Sequence, residues 1–76
     1  MSKKETLLQW CRYMNVFSKV DIENWAIKNY YISAERRVRE FAENPDIPIR
    51  RIPDIEATLR GLRKKGQAKV AWYEAE

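Results

Sequence analysis

The sequence predicts a small α+β domain, with a core of three helices followed by a two-stranded β-hairpin. Three observations lead there. Apolar residues recur at helical spacing three times before residue 44, each run opened by a polar residue suited to helix capping. From Pro45 the pattern changes, and two short segments rich in β-branched or aromatic residues follow. The 76 residues suffice for one domain, with no internal repeat, linker or low-complexity stretch to divide them.

Ser2-Lys3-Lys4-Glu5 has capping-box spacing, and Leu7, Cys11 and Met14 then recur at i, i+4, i+7, flanked by Leu8 and Trp10. This predicts a first helix over 3–14, ending near Asn15. Val16-Phe17-Ser18 is short and β-prone. Ser18-Lys19-Val20-Asp21 is a second start signal, after which Ile22, Trp25, Ala26 and Asn29 share one side of a helix over 19–29. Tyr30 and Tyr31 interrupt it. Ser33 is suited to cap a third helix over 34–43, with Ala34, Val38, Phe41 and Ala42 facing inward and Glu35 in the first turn. Asn44-Pro45 ends that helix, because the residue before a proline avoids helical geometry.

Prolines then confine Ile49-Arg50-Arg51-Ile52 to an edge or first-strand position. Ile55, Leu59 and Leu62 recur at helical spacing, so 54–65 reads as either helix or loop. The closing Val70-Ala71-Trp72-Tyr73 is a strand that pairs antiparallel with 49–52 and encloses the basic insertion. Trp10, Phe17, Trp25 and Phe41 read as core. Adjacent strand residues face opposite ways; of Trp72 and Tyr73, Trp72 is the expected core residue, and Tyr73 is free to stack on a base or anchor an interface.

Composition removes several function classes. The chain has one cysteine and no histidine, so neither an internal disulfide nor a structural zinc site can be assembled from it. No histidine-based triad and no phosphate-cradling glycine loop can be written, and no calcium-loop motif occurs. An enzyme is not expected, nor a cofactor or catalytic residue. Cys11 lies within an amphipathic pattern and reads as a small buried hydrophobe. No run approaches the roughly 18 apolar residues of a membrane span, and Glu5, Gln9 and Arg12 break any signal-peptide pattern, so a cytoplasmic protein is expected, nucleoid-associated if bacterial.

The net charge is +4, and it is unevenly placed. Residues 49–70 carry Arg50, Arg51, Arg60, Arg63, Lys64, Lys65 and Lys69 against Asp54 and Glu56, while 33–48 and 71–76 are each net negative. Such a concentration points to a polyanion contact, although a short run of this kind also reads as a solvated loop.

Two closely spaced helices, then an arginine-bearing strand, a basic insertion and an aromatic strand, resemble the winged helix-turn-helix superfamily of bacterial and phage regulators. The residues that carry the resemblance are Val16-Phe17-Ser18, the run Ser33-Ala34-Glu35-Arg36-Arg37-Val38-Arg39-Glu40-Phe41-Ala42, Ile49-Arg50-Arg51-Ile52 and Val70-Ala71-Trp72-Tyr73. The turn between the second and third helices lacks the glycine often found there, and the insertion is long for a wing. The resemblance implies sequence-specific binding of double-stranded DNA, with the third helix in the major groove.

On that reading Arg36 and Arg39 project toward bases, where a guanidinium can grip guanine O6 and N7. Ser33 and the free N–H groups beside it suit a phosphate. Arg60, Arg63, Lys64 and Lys65 lie beside Gly61 and Gly66 and would track the backbone, with Arg50, Arg51 and Lys69 extending the basic strip along the strands. The third helix also reads as an ordinary solvated face carrying Arg36–Glu40 and Arg39–Glu43 pairs, with Arg37 a salt-bridge residue on its flank. Two other functions stay open: a winged-helix adaptor that binds a protein partner or a second copy of itself, and a binder of single-stranded nucleic acid or RNA.

Overall fold

The computed structural model describes residues 3–63 and 70–76. Its elements run α1 (Lys3–Met14), β1 (Val16–Ser18), α2 (Lys19–Lys28), α3 (Ala34–Glu43), β2 (Ile49–Ile52), α4 (Asp54–Leu59) and β3 (Trp72–Ala75). The chain is thus α+β, with four helices and one three-stranded antiparallel sheet in the order β1-β3-β2. The expected pairing of the last two strands is present, and β1 adds a third strand to it. The register sets Phe17 and Arg51 on either side of Tyr73, and Val16 and Arg50 on either side of Glu74. The last strand begins at Trp72 rather than at Val70. Main-chain bonds outside the ladder extend its grip, from Lys19 N–H to Ala71 at 2.9 Å, Ala75 N–H to Asn15 at 2.7 Å and Glu76 N–H to Pro48 at 2.7 Å.

Local chemistry explains several boundaries. Ser18 closes a full capping box on α2: its hydroxyl accepts from the Asp21 N–H at 3.2 Å, and its own N–H donates to the Asp21 carboxylate at 2.9 Å. The expected cap of α3 is different. Ser33 precedes the helix but adopts a left-handed backbone, φ 61°, and its side chain makes no capping bond. The expected Ser2 cap lies outside the described residues.

Strand periodicity divides the sheet into two faces. One carries Phe17, Ile49, Tyr73 and Ala75. These join Leu7, Cys11, Ile22, Ala34, Val38 and Phe41 from the first three helices in the main core. The inward stripe expected for α3 is therefore the one observed. Cys11 is fully buried, and loss of solvent pushes its thiol pKa up to about 12, so it packs as a hydrophobe. Trp10 and Trp25 are half-buried rather than core, and Asn29 is exposed. They still belong to a chain of ring contacts from Tyr73 through Phe17, Trp10 and Trp25 to Tyr31, with centroid separations of 5.3–5.8 Å.

The expectation for the last strand is reversed. Tyr73 is the core residue, 1% exposed, and Trp72 is half-buried on the other face. The reason is register: residues pairing with Phe17 face the three-helix layer, and Tyr73 is that residue. Its hydroxyl is buried without a hydrogen-bond partner among the described residues, and burial raises its pKa.

The other face carries Arg50, Ile52 and Glu74, and α4 covers it. Ile52 and Ala57 are buried there, apart from the main core. Residues 54–59 are helical, but the helix is turned the opposite way to its expected stripe. Ala57 faces the sheet, while Ile55 and Leu59 are 78% and 82% exposed. Trp72, Arg50 and Glu74 share that face, and α4 places Glu56 against Arg50.

Two stability outcomes follow from this packing. Ser18→Ala should cost about 1 kcal/mol in urea unfolding, the usual loss for an N-cap. Tyr73→Phe should stabilise the fold by about 1 kcal/mol, because it removes a buried hydroxyl that has no partner. A destabilised Tyr73→Phe protein would show instead that a bound water satisfies the hydroxyl.

Candidate nucleic-acid interface

With Ala34, Val38 and Phe41 turned into the core, α3 must present its remaining side chains outward. Arg36, Arg37, Arg39, Glu40 and Glu43 are all exposed. Arg36 pairs with Glu40 at 3.7 Å, as its spacing predicts, and Arg37 donates to the same carboxylate at 3.3 Å. Arg39 does not pair with Glu43; it reaches back one turn to Glu35 at 3.1 Å. The side chain of Glu35 is the less exposed carboxylate of the helix, held at the edge where α3 meets the sheet.

Two concavities border this helix. One, of about 350 Å³, is lined by Ile32, Ser33, Arg36, Arg37 and Glu40. The other, of about 270 Å³, is lined by Arg39, Ala42, Glu43, Arg51 and Tyr73. Arg51 lies 5.9 Å from the Tyr73 ring centroid, a cation–π distance, and 3.6 Å from Asp54. The fold thus brings Arg39 and Arg51 to one groove between α3 and β2, a juxtaposition that no sequence spacing indicates.

The two strand arginines do not form one strip. Adjacent residues of a strand face opposite ways, so Arg51 borders α3 and Arg50 is on the far side of the sheet under α4. There Arg50 binds Glu56 and donates to Glu74 from Nε at 3.2 Å and Nη2 at 2.9 Å. Arg60 joins the same pair of carboxylates, reaching Glu56 at 3.2 Å and Glu74 at 3.0 Å. These bonds hold the Glu56 and Glu74 carboxyls below the usual glutamate value and raise both guanidiniums. Arg50 and Arg60 are therefore structural cations whose charge is already met. Only the Arg60–Glu56 contact follows a sequence spacing; Arg50–Glu74 joins residues 24 apart.

Of the remaining candidates, Arg63 is half-buried beside Asp54, Ile55, Thr58 and Leu59. Lys64, Lys65 and Lys69 lie outside the described residues. No family model, curated protein or solved structure matches this chain. Among the described residues no helix is long and apolar enough to cross a membrane.

The ion-pair cluster has a pH signature. Glu56 and Glu74 bind protons less readily folded than unfolded, so their contribution is complete above the ordinary glutamate value of 4.5 and is lost as pH falls through their lower folded values. Urea unfolding between neutral and acidic pH should therefore show a smaller acid loss for the Glu56→Gln, Glu74→Gln double variant than for the parent. The variant should also start less stable at neutral pH. Equal acid losses would show that the cluster does not contribute to stability.

Proposed function

We propose that this chain is a winged helix-turn-helix domain that binds duplex DNA, as a transcriptional regulator or a phage-type accessory protein. The observation that carries this reading is the connectivity. A helix, a short strand and two helices lead into a hairpin, and the sheet order β1-β3-β2 sets that hairpin beside the exposed α3. This supports α3 as the recognition element and 49–70 as the wing. The contacts assigned to DNA are Ser33, Arg36 and Arg39 on α3, Arg51 across the groove, and Arg63, Lys64, Lys65 and Lys69 in the wing. Residues 63–69 contain four cations and no acidic residue, which suits phosphate contact. Exposed pairs such as Arg36–Glu40 contribute only about 0–1 kcal/mol, so a phosphate or a guanine edge can displace the glutamate.

A second reading, a protein-binding adaptor, has one observation in its favour. Three arginines and three glutamates on α3 leave it electrically neutral, and each arginine has a carboxylate partner within 4 Å. That face suits a polar protein surface as well as a groove.

Fluorescence anisotropy of a labelled random-sequence duplex, titrated at low and moderate salt, separates the two. DNA binding predicts affinity that falls steeply with salt. The Arg63→Ala, Lys64→Ala, Lys65→Ala triple variant should lower the salt slope by about 0.9 per lost phosphate contact. Arg50→Ala should leave the slope unchanged while lowering stability. No binding at low salt overturns the DNA reading and leaves the adaptor.

A further inference from the structure

The second and fourth helices end with the same long main-chain bond around a left-handed residue. At the end of α4, Gly61 takes a left-handed backbone, φ 74°, with Gly61 N–H bonded to Thr58 at 3.1 Å and Leu62 N–H bonded to Ala57 at 2.9 Å. This is a Schellman motif, whose left-handed position is normally glycine because a Cβ is disfavoured there. At the end of α2, Asn29 caps the helix and the Tyr31 N–H bonds to Ala26 at 2.9 Å, the same long bond. The left-handed residue between them is Tyr30, φ 54°. A bulky residue in this conformation is a backbone outlier.

The ring of Tyr30 is not packed among the described residues, since Tyr30 is 90% exposed. Ile32 and Ile27 beside it are 88% and 74% exposed. Only Tyr31 turns inward, to contact Trp25 at 5.5 Å. The backbone of the turn is held by its main-chain bonds and by the Asn29 side chain, which donates to Trp25 O at 2.8 Å. Beside them lies a concavity of about 390 Å³ lined by Ala26, Ile27, Tyr30, Tyr31 and Ile32, none of them charged.

We infer that this turn is a self-association surface, on which a second copy of the chain docks by a two-fold contact between the two turns. The lining without charge does not suit a polyanion, and two like surfaces can meet there without repulsion. A two-fold contact needs a patch that complements itself, and this one carries both a protruding ring and an adjoining hollow. The size also fits. Ile27, Tyr30 and Ile32 offer roughly 500 Å² of mostly apolar surface. A standard interface buries about 800 Å² per partner, of which about 65% is apolar in homodimers. An exposed aromatic on a strained backbone at the centre of such a patch has the character of a binding hot spot. Ile32 also borders the concavity lined by Ser33 and Arg36, so this surface adjoins the contacts proposed for DNA, while its test reads the association of the chain alone.

Sedimentation velocity of the full chain over about 1 µM to 1 mM tests it, a range spanning micromolar to millimolar dissociation constants. The expected result is a monomer–dimer equilibrium. Tyr30→Gly should weaken the dimer at least tenfold, and it should also raise the urea midpoint of the dilute monomer, since glycine relieves the left-handed strain. A loss of association alongside a gain in stability cannot come from misfolding. Ile32→Ser, at an exposed position, should weaken the dimer without moving the monomer's midpoint. A parent protein that stays monomeric throughout overturns the inference. So does a dimer that both variants leave intact, or assembly that grows past two copies, which would mean that the turn meets a different surface such as Ile55 and Leu59.

Discussion

The position of β3 between β1 and β2 is the constraint on which the rest of the structure depends. Trp72–Ala75 pairs with a strand more than fifty residues earlier and with another about twenty residues earlier. Such pairing requires α1 and α2 to be in place, because β1 joins them directly, and it requires α3 to have delivered β2. Tyr73 is the point where these requirements meet. Its ring stacks on Phe17 from β1, faces Arg51 from β2 and lies in one cluster with Val38 and Phe41 of α3. In a domain of this size the buried fraction of surface is small, so one large side chain at the centre of the sheet carries much of the packing. The core keeps it despite a hydroxyl without a partner among the described residues, a cost that a phenylalanine would avoid.

That same sheet sorts the charges. Because side chains alternate across a strand, Arg50 and Arg51 are separated by the thickness of the sheet. Arg50 meets Glu74 on the adjacent strand and Glu56 on α4, and Arg60 completes the cluster from the turn after α4. Arg51 shares a groove with Arg39. Formal charge along the chain therefore overstates the cationic surface. Two of the seven basic residues in 49–70, Arg50 and Arg60, serve to fasten α4 to the sheet, whereas Arg51 and the arginines of α3 sit in exposed ion pairs. This division sets Arg39 and Arg51 on one side of the sheet and the Arg50–Arg60 ion pairs on the other.

The turn between α2 and α3 shows a different kind of constraint. The missing glycine did not prevent a tight turn. The chain makes the same long main-chain bond that closes α4, here from Tyr31 N–H to Ala26, with Tyr30 in the left-handed position that Gly61 takes after α4. The turn therefore stores local strain while displaying three apolar side chains. Internal packing does not explain this exposure at a strained position, and a partner surface accounts for it.

The sequence by itself determined the elements whose signals are local. The Ser18–Asp21 box, the Ala34-Val38-Phe41 stripe, the Asn44-Pro45 stop and the proline-bounded strand each depend on residues within about one or two turns of one another, and each element stands where the spacing put it. It also determined that α3 would carry an exposed, charge-rich face. Only the tertiary structure decided which side of an ambiguous segment is buried. Ile55 and Leu59 have good helical spacing, but the sheet offers α4 a face already occupied by Ile52 and the Arg50 cluster. Close approach there requires the small Ala57, and the larger residues are turned to solvent. Trp72 and Tyr73 exchanged roles for a related reason, since the register with Phe17 decides which of two adjacent residues faces the helices. The partners of Arg39 and Arg50 were likewise set by packing, because ion pairs follow distance in space and several carboxylates compete for each guanidinium. Periodicity is carried by neighbours along the chain, whereas burial and pairing are decided by residues that meet only when the sheet closes.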